Sequence, residues 1–152
     1  MPKVAILAGE PSGDLIASQL MSDLNKRYKN IQYVGVGGPL MTKRGLKSFF
    51  DYSQLSLRGY FEVIKNLPKL LKLRSSVIKF LIIQKPDIFI GIDAPDFNFA
   101  IERILKANKI PTFHYISPSV WAWRKNRIHK MKEIMDHLFF IFPHEETIFN
   151  KI

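Results

Sequence analysis

Ile88-Phe89-Ile90-Gly91-Ile92-Asp93-Ala94-Pro95-Asp96-Phe97-Asn98 is the stretch from which the fold is read. Its first five residues are apolar on both faces, and a strand that hides both faces lies in a parallel sheet covered by helices. Pro95 then stiffens a turn, and Asp96 or Asn98 opens the next helix. The same alternation recurs outward in both directions. Val4-Ala5-Ile6-Leu7, Tyr33-Val34, Phe113-His114-Tyr115-Ile116 and Leu138-Phe139-Phe140-Ile141 read as further strands. Residues 14–28, 97–108 and 120–135 carry helix-length patterns, and another begins at His144. Alternating strands and helices predict an α/β fold, a Rossmann-like parallel sheet with helices on both faces.

A chain of 152 residues holds one domain, and neither an internal repeat nor a linker interrupts it. Its 47% apolar and 24% charged residues exclude a disordered class. Cysteine is absent, which excludes disulfides and zinc-thiolate sites. No apolar run reaches the roughly 18 residues of a spanning helix, and the run at Val4 is too short for a signal peptide. A basic protein of the cytoplasm is expected. Twenty-three Lys and Arg against 13 acidic residues leave a formal charge of +10, which predicts an anionic partner. Nucleic acid is not expected, because the sequence has no helix-turn-helix or zinc-finger signature and its aromatics do not interleave with its basic run.

In a doubly wound sheet the loops leaving the carboxyl ends of the strands form the binding crevice. Four such loops are chemically unusual. The first, Ala8-Gly9-Glu10-Pro11-Ser12-Gly13-Asp14, sets Ser12 and Gly13 where a helix begins, a place that suits a phosphate or simply a helix cap. The second, Gly35-Val36-Gly37-Gly38-Pro39, lets a ligand approach the backbone or forms a tight turn. In the third, Asp93 reads as a general base if burial raises its pKa, or as a carboxylate that orders loop amides. The fourth carries Ser117, Ser119, Trp121 and Trp123, followed by Arg124, Lys125 and Arg127, which could stack on a ring or hold a phosphate. No Asp-x-Asp pair occurs, and His114, His129, His137 and His144 show no ligand spacing, so neither a metal nor a cofactor is expected.

From Ile64 onward, Ile64, Leu67, Leu71, Ile78 and Leu81 follow helical spacing, while Lys65, Lys69, Lys72 and Lys79 share another face. Phe49, Phe50, Leu57, Tyr60 and Phe61 precede them. A basic amphipathic helix beside aromatics suits a membrane surface, and a solvated lysine face is the plainer alternative.

Five motifs carry a resemblance. They are Ala8-Gly9-Glu10-x-Ser12-Gly13-Asp14, Gly37-Gly38-Pro39-x-Met41, Gly59-x-x-Glu62-Val63, Gly91-Ile92-Asp93-Ala94-Pro95-Asp96-Phe97-Asn98, and the run from Tyr115 to Arg124 that reads Tyr-Ile-Ser-Pro-Ser-Val-Trp-Ala-Trp-Arg. Together they resemble the lipid-A-disaccharide synthases, glycosyltransferases of lipid A biosynthesis in Gram-negative bacteria. The resemblance covers the whole chain. It implies the N-terminal half of a GT-B fold, with the acceptor held in this half and the nucleotide sugar in a C-terminal domain. The implied reaction is inverting, metal-independent transfer of 2,3-diacylglucosamine from its UDP derivative to the 6-hydroxyl of 2,3-diacylglucosamine 1-phosphate, through a β-1,6 linkage.

On this resemblance Asp93 is the base, and Gly9, Glu10, Ser12, Gly13, Asp14, Gly37, Gly38 and Asn98 join Ser117, Ser119, Trp121, Arg124 and Arg127 in binding substrate. Phe49 to Leu71 supply an apolar berth for acyl chains. The implied location is the cytoplasmic face of the inner membrane, as a peripheral protein. Pro143-His144-Glu145 departs from the family's Pro-Phe-Glu. The family's enzymes are more than twice this length, so the chain is expected to be one half of a split enzyme, a truncation or a fragment, inactive until joined to its missing half, with a separate C-terminal half or a homodimer as expected partners. Two rival readings are a non-catalytic lipid-binding module and a UDP-sugar 2-epimerase. The Ser-Pro-Ser-Val-Trp-Ala-Trp-Arg run speaks against the epimerase.

Overall fold

The computed structural model describes residues 1–55, 60–115, 131 and 133–140, with only the helical backbone described for residues 60–65. The elements run β1 Lys3–Leu7, α1 Pro11–Arg27, β2 Gln32–Val36, α2 Pro39–Lys43, β3 Leu46–Ser48, α3 Tyr60–Gln84, β4 Ile88–Gly91, α4 Pro95–Ala107, β5 Thr112–Tyr115 and β6 His137–Phe139. The six strands form one sheet in the order β3-β2-β1-β4-β5-β6, every pairing parallel. The chain winds outward from β1 to β3, crosses back, and starts again at β4 beside β1. The loops after β1 and β4 therefore diverge at the switch point and open a crevice between them.

Two cores flank the sheet. Ile6, Ile90 and Ile92 pack on one face with Ala17 and Met21, which α1 presents four residues apart. Leu7, Val36 and Phe89 pack on the other with Val77 and Leu81 of α3 and with Ile101 and Leu105 of α4. Central strands lined on both sides must be apolar at every position, which is why they read as unbroken runs.

Three features depart from the expectation. The edge strand β3 pairs Tyr33 with Leu46 and Gly35 with Ser48, yet only Leu46 is buried, so three residues carry too little periodicity to be read. The short helix α2 likewise follows Gly38 without a periodic signal. In α3, the plainer alternative of a core-facing helix with a solvated lysine face holds only in the second half. Leu81 is buried, whereas Leu67 and Leu71 are 47% and 44% exposed. Pro68 sits inside this helix, and its missing N–H deprives one carbonyl of its partner at the point where the apolar side faces outward.

Candidate active site

Asp93 leaves the end of β4 and reaches across the switch point into the loop after β1. Its Oδ1 accepts the Gly9 amide at 2.7 Å and its Oδ2 accepts the Glu10 amide at 3.0 Å. The carboxylate lies against Gly13 so closely that a Cβ there would fall 1.8 Å from Oδ2. A glycine is therefore required at the first turn of α1 to admit the acid. Only 8% of Asp93 is exposed. Burial pushes its pKa up to about 6, against the two amides, which favour the charged form. Ala94, the next residue, sits in the left-handed region at φ 45°, ψ 59°. For a non-glycine residue that costs about 1–3 kcal/mol, and strain of this kind concentrates at functional loops. Both sequence readings of Asp93 thus have a physical counterpart in one geometry: it orders loop amides, and it is a buried carboxylate poised near neutrality.

Asp14 plays a different part from the one anticipated. Its Oδ1 accepts the amides of Gly38 and Met41, and its Oδ2 accepts that of Leu40, all at 3.0 Å. The acid caps α2 and is 2% exposed. The glycines of the second loop are likewise explained by neighbours within the protein. A Cβ on Gly38 would meet Asp14, one on Gly37 would meet Met41 and Leu46, and one on Gly35, at φ +140°, would strike the Ile6 carbonyl. The Gly37 amide donates to Ser48 Oγ. Ser12 is exposed in the first turn of α1, while the cap position falls on Glu10, so Ser12 is not the cap. In these loops the amides of Gly9, Glu10, Gly37 and Gly38 donate to Asp93, Ser48 and Asp14. Replacing Asp14 with Ala leaves three amides without their acceptor and should cost about 3 kcal/mol, measurable as a drop in the urea midpoint.

Beside the Asp93 loop lies a cavity of about 300 Å³. Leu55, Leu67, Leu70, Leu71 and Phe97 line it together with Ala94 and Pro95, and Glu10, Arg74 and Asp96 are its charged members. The half-exposed leucines of α3 thus face a cleft. Lys69 and Lys72 are exposed on the same helix. Phe49, 41% exposed, stacks on Phe80 of α3 at 4.4 Å, and Phe50 packs against the core. The residues expected at Leu57, Ser117, Ser119, Trp121, Arg124 and Arg127 lie outside the described residues, as does the helix expected from His144. For Tyr60, Phe61 and Lys65 only the helical backbone is described.

Behind Asp93 stand residues whose partnership the sequence reading missed. Asn98, expected to bind substrate, is fully buried and donates from Nδ2 to the Asp93 carbonyl. One turn further along α4, Glu102 meets His114 of β5, Oε1 to Nδ1 at 2.7 Å, both fully buried. The available signal was a polar residue at core positions: Asn98, Ile101, Glu102 and Leu105 form the buried stripe of α4, and His114 interrupts an apolar strand. Among the described residues no group of three or more His, Asp or Glu is placed to hold a metal.

The strand order, the switch-point crevice and its buried carboxylate define one Rossmann-like half of the GT-B architecture. UDP-GlcNAc 2-epimerase from Neisseria meningitidis, solved bound to UDP-GlcNAc, superposes with a TM-score of 0.61 at 12% identity over 99% of this chain and 43% of that one. MurG from Acinetobacter baumannii gives 0.57 at 13% identity, over 94% and 42%. The family model described as lipid-A-disaccharide synthetase matches residues 4–152, and the chain belongs to that family. Lipid-A-disaccharide synthases from Idiomarina loihiensis, Methylobacillus flagellatus and Haemophilus influenzae are 50%, 47% and 45% identical across 99% of this chain. The chain spans 38–40% of the length of these relatives.

Proposed function

We propose that this chain forms the acceptor side of a lipid-A-disaccharide synthase. The observation that carries the reading is the buried Asp93 carboxylate at the switch point, beside an apolar cleft. A sugar hydroxyl is a weak nucleophile at neutral pH. Asp93 takes the proton of the acceptor's 6-hydroxyl as that oxygen forms its bond to the anomeric carbon of UDP-2,3-diacylglucosamine. The bond to UDP breaks from the opposite face, inverting the carbon, and UDP leaves with the electron pair. A base with a pKa of about 6 is unprotonated at neutral pH yet still basic enough to share the proton in the transition state. The leucine-lined cleft takes acyl chain, Arg124 or Arg127 meets phosphate, and the C-terminal half of the family's fold holds the nucleotide sugar. The test is amide NMR of the chain titrated with 2,3-diacylglucosamine 1-phosphate or with the UDP-sugar. The acceptor lipid should shift Gly9, Glu10 and Ala94. Shifts from the UDP-sugar alone would overturn the assignment.

We further propose that the protein works as a peripheral protein on the anionic cytoplasmic face of the inner membrane. Among the described residues no helix is long and apolar enough to cross a membrane. Support comes from α3, where exposed Leu67 and Leu71 alternate with exposed Lys69 and Lys72. Each lysine at such a surface contributes about 1 kcal/mol. Changing Lys65, Lys69, Lys72 and Lys79 to Gln should abolish most co-sedimentation with anionic liposomes at low salt, and equal sedimentation of both proteins would return α3 to a solvated face.

A further inference from the structure

We propose that Glu102 and His114 are positioning residues for Asp93, acting through Asn98 and the end of β4 without touching substrate. The pair is costly where it stands. Glu102 and His114 are both fully buried, and Glu102 Oε2, His114 Nε2 and Asn98 Oδ1 have no hydrogen-bond partner among the described residues. Apolar side chains of similar volume serve stability as well as or better than a buried ionisable pair, so the pair's presence calls for a different reason. Its neighbours supply one. A Cβ on Gly91 would lie 2.4 Å from Glu102 Oε1, 3.1 Å from His114 Nδ1 and 3.2 Å from the Asn98 Cβ. All three side chains therefore converge on the backbone two residues before Asp93.

Asn98 converts that convergence into a hold on the loop. It stands one helical turn before Glu102 and donates to the Asp93 carbonyl. A shift of Glu102 toward or away from His114 moves the same face of α4 that anchors Asp93, and with it the alignment of the carboxylate on the Gly9 and Glu10 amides. Phe99 fixes the other side, its ring edge-on to His114 at 4.9 Å and packed on Met131 and Met135. Of the described groups, Gly91 of β4 and Asn98 and Phe99 of α4 lie at the pair, and Asp93 is an ionisable group within electrostatic reach of His114. Burial raises the Glu102 pKa, opposed in part by its hydrogen bond to His114.

The test uses the whole chain and two readouts. These are the ¹³C titration of the Asp93 carboxyl and hydrogen exchange at the Gly9 and Glu10 amides. Replacing the pair with Glu102→Leu and His114→Phe together should preserve thermal stability. It should also move the Asp93 midpoint upward by at least about half a unit and speed exchange at the two amides at least about tenfold. Glu102→Gln, which keeps the shape, should show the same changes in smaller measure. Leu105→Ala, which damages the same helix face without touching the pair, should lower stability and leave the Asp93 midpoint in place. An unchanged midpoint and unchanged exchange in both pair variants overturn the proposal, and Glu102→Gln decides alone if the double variant does not fold. Asp93 as the reaction's base is a separate reading, tested by turnover, and it can fail while these results stand.

Discussion

Asp93→Asn in a complete enzyme of this family should lower turnover by roughly two to four orders of magnitude while acceptor affinity stays within a few-fold of the parent's. The substitution keeps the side chain's shape and removes its proton-accepting oxygen. In the parent, log kcat should fall as pH drops through about 6, because the base must be unprotonated, and that limb should vanish from the residual activity of the variant. Steady-state kinetics across pH 5 to 9 checks both. Near-normal turnover would move the base to another group. Glu10, exposed and lining the cavity, is the next candidate ahead of Asp14, which is 2% exposed and does not line it.

The second large effect is on stability, and its sign follows from the direction of the shift. Asp93 holds its proton more tightly in the folded chain, with a pKa of about 6, than at the ordinary aspartate value of 3.8. Between those pH values the folded state binds more protons than the unfolded one, so stability contributed by this group is present at low pH and lost as pH rises through about 6. The full difference is about 3 kcal/mol. Asp93→Asn does not titrate. Its stability relative to the parent should therefore improve by about 2.4 kcal/mol between pH 4 and pH 7, whatever the fixed cost of the lost amide bond. Urea unfolding of both proteins at the two pH values measures it. Parallel curves would mean that the carboxylate is solvated. A site that destabilises its own fold at working pH is a common cost of a buried base.

Legibility in the sequence followed physical periodicity. The central strands β1, β2, β4 and β5 and the helices α1 and α4 could be read because each is long enough to show a pattern of burial. The edge strand β3 and the five-residue α2 could not, because their geometry comes from tertiary partners: β3 completes the edge of β2, and α2 is organised by Asp14 from another element. Asp93 was legible as a carboxylate just past a buried strand. Its contact with Gly13, eighty residues earlier in the chain, was not, because the requirement for glycine there arises only when α1 and the β4 loop meet. For the glycines of the second loop, the choice between a ligand's approach and a tight turn was open in the sequence for the same reason. Sequence showed that something approaches the backbone closely, and the structure identifies Ile6, Met41, Leu46 and Asp14. Glu102 and His114 each looked ordinary alone, and only the adjacency of β5 and β4 beneath α4 brings them together.

The central claim is that Asp93 is where the acceptor hydroxyl loses its proton, and a crystal structure of a complete family member with 2,3-diacylglucosamine 1-phosphate bound tests it most directly. The measurement is the distance from the acceptor's 6-hydroxyl oxygen to the nearer carboxylate oxygen of the residue matching Asp93. The account predicts about 2.6–3.2 Å, hydrogen-bond reach, with an acyl chain in the cleft against Leu67 and Leu71. A 6-hydroxyl bound to another side chain, with the Asp93 carboxylate still engaged only by the Gly9 and Glu10 amides, would contradict it.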